Sequence, residues 1–373
     1  MKLKEAQDAN EIRPRVMSVD ALRGFDMFWI MGGGEAVKQF IRLFGDPMPA
    51  GIARQFSHVE WEGFAAWDLI MPLFLFIVGV AMPFSVGRRI ERGDTRASIY
   101  RHTARRVIML FILGMIAQGH LLTFDLDRIH IYCNTLQAIA AGYLVATIAL
   151  IHLRTVGQAV LCAALLIGFW LLMMLVPVPG HGAGVLTPSG NLAMFIDEAV
   201  LRRFRDGTHY TWILSSMGFA GSVLLGMFGG QILKSERLTQ GQKALALAGM
   251  GVALTAGGLV WSLWFPIIKH IWTSSFVLFA AGLSYLLLAA FYTIMDVFGY
   301  NRWAFLFVVI GANALLAYLA EGLVSAHGVA TWLFGDSARE WPAIYTFPFA
   351  LLIFGLLWIG LYGLYRKRVF VRV

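Results

Sequence analysis

The 373 residues are 58% hydrophobic and only 14% charged, which excludes an ordinary soluble domain, where about 25% of residues carry charge. Apolar runs near 20 residues recur along the chain, so the expected class is all-α: a polytopic integral membrane protein. The excess of 30 Lys and Arg over 22 Asp and Glu then belongs to cytoplasmic loops that fix orientation, and not to nucleic-acid binding.

The opening residues, 1–17, read as a cytoplasmic segment. They are polar for too long to be an ordinary signal peptide, and no small-residue cleavage site follows the first apolar run. Hydropathy then predicts ten spans, roughly 19–37, 63–86, 103–120, 131–151, 157–177, 210–233, 243–261, 272–292, 303–321 and 345–365. With both ends inside, most basic residues fall on the cytoplasmic face, the densest block being the seven arginines from Arg88 to Arg106. That block also suits anionic lipid or the phosphates of a ligand. The outer loops are longer: 38–62, 178–209 and 322–344. Loop 178–209 is expected to be periplasmic. It carries an amphipathic piece, Asn191 to Phe204, with Leu192, Phe195, Ile196, Ala199 and Val200 on one side. No linker, repeat or soluble domain interrupts 1–373, read as one transmembrane domain of a bacterial inner membrane. Small residues of span six, such as Gly226 and Gly230, are expected to let helices approach closely.

Chemistry concentrates in 51–85, a polar, aromatic-edged loop running into an apolar helix. His58 is suited to moving a proton near neutral pH or to attacking an acyl carbonyl. Glu60, Glu62 and Asp68 are candidates to orient its ring. The bland alternative is a surface-loop histidine beside interfacial aromatics such as Trp61. Asp68 lies inside the apolar run, where a carboxylate is expensive and its default reading functional; the alternative is a structural ion pair with an arginine. Pro72 is expected to loosen the helix there. In the first span, Ser18 or Asp20 is a candidate cap, and Asp20 and Arg23 share a face and can pair. Asp26 and Glu35 continue a polar line past the thin patch of Gly32, Gly33 and Gly34. Asn134 and Gln137 open span four, Asn313 sits within span nine, and Thr273 or Ser274 caps span eight after Lys269 and His270. No P-loop, Rossmann fingerprint or H-E-x-x-H is present. Cys133 and Cys162 have neither metal-site nor disulfide spacing, and no metal is expected.

Four stretches carry a resemblance: SVDALRGFDMFWIMGGG, FSHVEWEGFAAWDLIMPLFLFIVGVAMPFS, NTLQAIAAGYL and PIIKHIWTSSFVLFAAGLSYLLLA. They resemble the bacterial relatives of heparan-alpha-glucosaminide N-acetyltransferase, a membrane acyltransferase family that includes members labelled only as a domain of unknown function. The specific signals are H-x-x-W-x-G-x-x-x-x-D-L before the second helix and W-T-S-S-F-V-L after Pro-x-x-Lys. The resemblance implies transfer of an acetyl group from cytoplasmic acetyl-CoA to a terminal glucosamine-like amine on the far side, with His58 catalytic and Asp68 or Glu60 as its partner. It implies that Asp20, Arg23, Gly24, Gly33, Arg105, Arg106, Gln137 and Lys269 are the places to look for donor contacts. Glu35, Trp61, Glu62, Asn134 and Asn313 are the corresponding candidates for the acceptor. The family's usual Leu-Gln-Arg is Leu136-Gln137-Ala138 here, and its Pro-Ile-Asn-Lys is Pro266-Ile267-Ile268-Lys269. The large luminal domain of the animal enzyme has no counterpart, so the acceptor need not be heparan-derived.

An extended pantetheine arm is shorter than a hydrocarbon core of about 30 Å, so the donor cavity is expected to be recessed, or the protein to rock. Membrane lipids are expected partners, and a homodimer is reasonable for this kind of protein. Two rival readings use the same residues: a proton-coupled transporter of a sugar or amphipathic metabolite, and a non-catalytic membrane scaffold in which His58 and Asp68 are dispensable.

Overall fold

The computed structural model describes residues 16–323 and 325–371; most of the segment expected at 1–17 therefore lies outside it. In chain order its helices are α1 (Met17–Phe28), α2 (Gly34–Arg42), α3 (Ala50–Gln55), α4 (Ile70–Glu91), α5 (Arg96–Ala117), α6 (Thr135–His152), α7 (Thr155–Leu175), α8 (Leu192–Leu201), α9 (Ser216–Lys234), α10 (Gln240–Trp261), α11 (Ser274–Tyr292), α12 (Phe305–Ala312), α13 (Ala314–Leu323), α14 (Ala326–Phe334) and α15 (Ala343–Arg366). A widened turn, Trp29–Gly33, joins α1 to α2 across a kink at Gly32, whose φ is +101°. Only glycine adopts such a backbone without strain.

The protein is an all-α polytopic membrane protein. Among the described residues seven helices are long and apolar enough to cross a bilayer, and an eighth span is present if α12 and α13, bent by 73°, count as one. These eight coincide with eight of the ten predicted spans. The other two predictions fall on α1–α2 and on α5. Both have the length, but Asp20, Arg23, Asp26, Glu35 and Lys38 on one, and Arg101, Arg105 and Arg106 on the other, set them apart from the apolar helices.

Glycines decide how closely the centre packs. A Cβ on Gly226 would land on the Phe76 carbonyl, one on Gly230 on the Val80 carbonyl, and one on Gly79 on the Val223 carbonyl, so α4 and α9 touch backbone to backbone. Gly24 and Gly311 do the same for α1 and α12, meeting the Phe307 and Asp20 carbonyls. Buried Leu75, Met82, Ile139, Tyr143, Phe219 and Phe276 fill the space around this centre.

Several local expectations change. Ser18 and Asp20 lie within α1 and do not cap it; Val16 precedes the helix. Pro72 sits in the first turn of α4, where a missing N–H costs nothing, and Pro83 is the interior proline. Predicted span nine breaks at Asn313, whose amide is drawn away to the chain's last described residues: Nδ2 donates to the Val369 carbonyl at 3.2 Å and Oδ1 accepts from Val371 N–H at 2.9 Å. In α8 the buried side chains are Leu192, Ala193, Met194, Asp197 and Leu201, while Phe195 and Val200 are exposed. The inward face is set by Asp197, whose carboxylate accepts the N–H groups of Trp212 and Ile213 at 2.7 and 3.0 Å.

Candidate active site

His58 and Asp68 lie on either side of a turn that delivers the chain into α4. Asp68 occupies a short 3-10 turn, Ala66–Leu69, immediately before the helix. There the free N–H groups of the helix start favour negative charge. Its Oδ2 accepts from Ala65 N–H at 3.0 Å and Val59 N–H at 3.4 Å. Its Oδ1 meets His58 Nδ1 at 2.8 Å and Lys269 Nζ at 3.2 Å. The Asp68 side chain is 2% exposed and that of His58 47%. A buried carboxylate thus holds one edge of an imidazole whose other edge stays accessible, the arrangement that prepares Nε2 as a base or nucleophile.

Lys269 comes from the loop between α10 and α11. Gly63 N–H donates to the Ile267 carbonyl at 2.8 Å, and Glu62 and Ile268 form an antiparallel bridge, so the two loops are stitched together. Thr273 Oγ1 caps α11 by accepting from Phe276 N–H and also accepts from Ile268 N–H, which makes the W-T-S-S stretch the brace of this loop. Burial pulls Lys269 down to about 8, against the attraction of Asp68. Beside it, His270 stacks on Tyr210 with ring centroids 4.4 Å apart and on Trp61 at 5.3 Å. Burial and the neighbouring Lys269 charge lower His270 to about 4.

His58 and Lys269 open onto a cavity of about 510 Å3, walled by Tyr210, Trp212, Asp206 and Tyr318, with His120 and His130 at its rim. A second cavity, of about 580 Å3, continues along the same helix: Phe74, Val78, Ala81, Ser85 and Arg88 of α4 line it, with Arg23 and Arg106 opposite. From Phe74 to Arg88 is 14 residues of helix, about 21 Å. Tyr318 and Phe74 stand between the two cavities. Tyr318 lines the first, and its ring packs at 6.5 Å on Phe74, which lines the second. Asn134 Nδ2 ties the Tyr318 hydroxyl at 3.0 Å and Gln118 Oε1 at 2.8 Å. In the second cavity the Arg106 guanidinium lies 4.4 Å from the Tyr143 ring centroid, and its buried Nε has no hydrogen-bond partner among the described residues. Arg23 pairs with Asp20 at 3.2 Å. Three guanidiniums around an apolar corridor fit a phosphorylated head with an extended tail.

The remaining predicted residues are dispersed. Glu60 and Glu62 are exposed, and the place beside the imidazole belongs to Asp68. Trp61 is committed to loop 178–209 through Nε1 and the Leu186 carbonyl, 2.8 Å. Glu35 accepts from Gln39 at 2.6 Å within α2. Gln137 pins the turn before α6, accepting from Cys133 N–H and donating to the Ile131 carbonyl. Asn134 backs the partition, and Asn313 holds the 369–371 segment. Gly24 is packed on α12, Gly33 is covered by the Phe28 ring, and Arg105 is exposed where Arg106 faces inward. Tyr318, Tyr210, Asp206 and His130 also line this cavity, and none of them carries a spacing signal toward His58 in the sequence. Among the described residues no cluster of His, Cys, Asp and Glu has the geometry to hold a metal.

No protein family model matches the chain. It is 24% identical to human heparan-alpha-glucosaminide N-acetyltransferase over 96% of its own length, and 22% identical to the mouse protein over 85%. These matches cover 60% and 56% of the relatives, so the chain spans less than two thirds of their length. By this similarity the chain is a distant homologue of the heparan-alpha-glucosaminide N-acetyltransferase family.

Proposed function

We propose that this protein is a transmembrane N-acetyltransferase that takes the acetyl group of acetyl-CoA into the arginine-lined cavity and passes it to an amino-sugar amine in the His58 cavity. The observation that carries the reading is the alignment of the two cavities along α4, with anion-binding groups at one end and a carboxylate-held imidazole at the other. In this reading the ten predicted spans all cross a bacterial inner membrane with both ends inside. Cytoplasmic Arg23, Arg88 and Arg106 then hold the phosphates, and the thioester reaches the outer cavity by passing Phe74 and Tyr318.

His58 supplies the chemistry. With its Nδ1–H donated in a hydrogen bond to Asp68, Nε2 can take the proton of the attacking amine and return it to the departing thiolate. It can also attack the thioester itself, giving an acetyl-imidazole and free CoA before the amine takes the acetyl group. Acetyl label found on His58 without acceptor distinguishes the second route. The aromatic walls Tyr210, Trp212 and Tyr318 suit the apolar face of a pyranose ring, and Asp206 suits its polar edge.

The test is titration of purified protein with acetyl-CoA by calorimetry, with release of CoA measured on adding glucosamine. Saturable binding, with release abolished in His58→Ala, supports the proposal. A well-folded protein that does not bind acetyl-CoA overturns it, and the transporter reading then leads.

A further inference from the structure

Three polar atoms at the head of the His58 cavity close a triangle. His58 Nδ1 is 2.8 Å from Asp68 Oδ1 and 3.0 Å from Lys269 Nζ, and Nζ is 3.2 Å from the same Oδ1. An ammonium only donates and a carboxylate only accepts. The shortest edge therefore carries the imidazole's Nδ1 proton to Asp68, and the lysine edge brings two donors face to face. A carboxylate alone would favour the doubly protonated ring, whose Nε2 can no longer accept a proton. A cation 3.0 Å from the ring opposes that second proton.

We infer that Lys269 is a positioning residue that, together with Asp68, holds His58 as the neutral imidazole with its proton on Nδ1 and its Nε2 lone pair toward the cavity. For its catalytic consequence the inference rests on the acyltransferase reading; for its geometry it does not. The lysine is held in place for this. Its side chain is 7% exposed. Its loop is fixed by the Gly63–Ile267 bond, by Thr273 Oγ1 donating to the Pro266 carbonyl at 2.9 Å, and by Ser275 Oγ donating to the same carbonyl at 3.0 Å. With a value of about 8, Lys269 is still a cation at neutral pH. The other titratable groups near it are Tyr210, His270 and, beyond Trp61, His209; Asp206, His120 and His130 also line the cavity that it shares with His58. Burial keeps Tyr210 neutral, at about 12, and His270 is neutral above about 4.

Diethyl pyrocarbonate carbethoxylates neutral imidazole and spares imidazolium, so the pH at which His58 becomes reactive reads its protonation without any turnover. The full-length protein in detergent is treated across pH 5 to 9 and His58 modification is quantified by peptide mass spectrometry. In Lys269→Met the midpoint of modification is expected to move up by about one pH unit or more, while Lys269→Arg, which keeps the charge, stays with wild type. Should the methionine variant not fold, Lys269→Gln gives the same comparison. A midpoint in the neutral variants at or below that of wild type overturns the inference. The acid limb of CoA release should move in the same direction. A shifted modification midpoint in a protein that releases no CoA would uphold the role of Lys269 and reject the acyltransferase reading.

Discussion

The two cavities along α4 are built on opposite plans. Around His58 the polar groups answer one another: both Asp68 oxygens are engaged, the imidazole is held on one edge, and Lys269 is buried against them. Around Arg106 a guanidinium rests on Tyr143 with a buried Nε unanswered among the described residues, in a corridor whose other walls are largely apolar. A pre-ordered cluster suits chemistry, because nothing has to reorganise when charge moves. An incompletely answered cation suits a receptor, because the anion that arrives completes it. Under the proposed function this difference divides the work: bond-making at one end of α4, capture of the phosphorylated donor at the other.

That division can be broken at either end. The largest effect expected is in His58→Ala, which should lower CoA release by about a hundredfold or more with the acetyl-CoA Kd within a factor of two or so of wild type; calorimetry and a thiol assay on one preparation check both. Next is the packing that keeps the cavities in line. Gly226→Ala pushes a methyl group onto the Phe76 carbonyl, and should cost about 1–3 kcal/mol, seen as a fall in Tm. Arg106→Met keeps the bulk of the side chain and removes its charge. It should weaken acetyl-CoA binding by roughly tenfold, about 1.4 kcal/mol, and flatten the salt dependence of Kd, with kcat little changed. The smallest effect concerns Lys269 and stability. Its value in the folded protein, about 8, lies below the ordinary 10.5. Between those values the unfolded chain holds a proton that the folded one has released. Stability therefore rises with pH across that window, and the Tm of wild type should gain a few degrees relative to Lys269→Met.

How much of this was legible in the sequence follows from where each residue comes from. Asp68 could be read because a charge inside an apolar run is visible without any partner, and His58 because it lies ten residues away in the same stretch. Lys269 was expected among the donor contacts and not beside Asp68, from which 201 residues separate it. Tyr318, Asp206 and Tyr210 were not legible: two segments distant from His58, the loop before α9 and α13, bring them to one cavity, and no local pattern marks a residue for that. Hydropathy located the apolar helices well. It could not foresee the break at Asn313, whose side chain bonds to residues 369–371, more than 50 positions away. The face of α8 was misjudged for a related reason. A buried aspartate looks polar in any periodicity, yet here two backbone N–H groups of a distant segment draw it inward.

The measurement that bears most directly on the division between the cavities is a side-by-side determination of acetyl-CoA Kd and glucosamine-dependent kcat for His58→Ala and Arg106→Met. A double dissociation is expected: His58→Ala binds acetyl-CoA but does not turn over, and Arg106→Met binds weakly but turns over at saturating donor. If His58→Ala lost binding, or Arg106→Met lost kcat while keeping its affinity, the assignment of chemistry to one cavity and donor capture to the other would be contradicted.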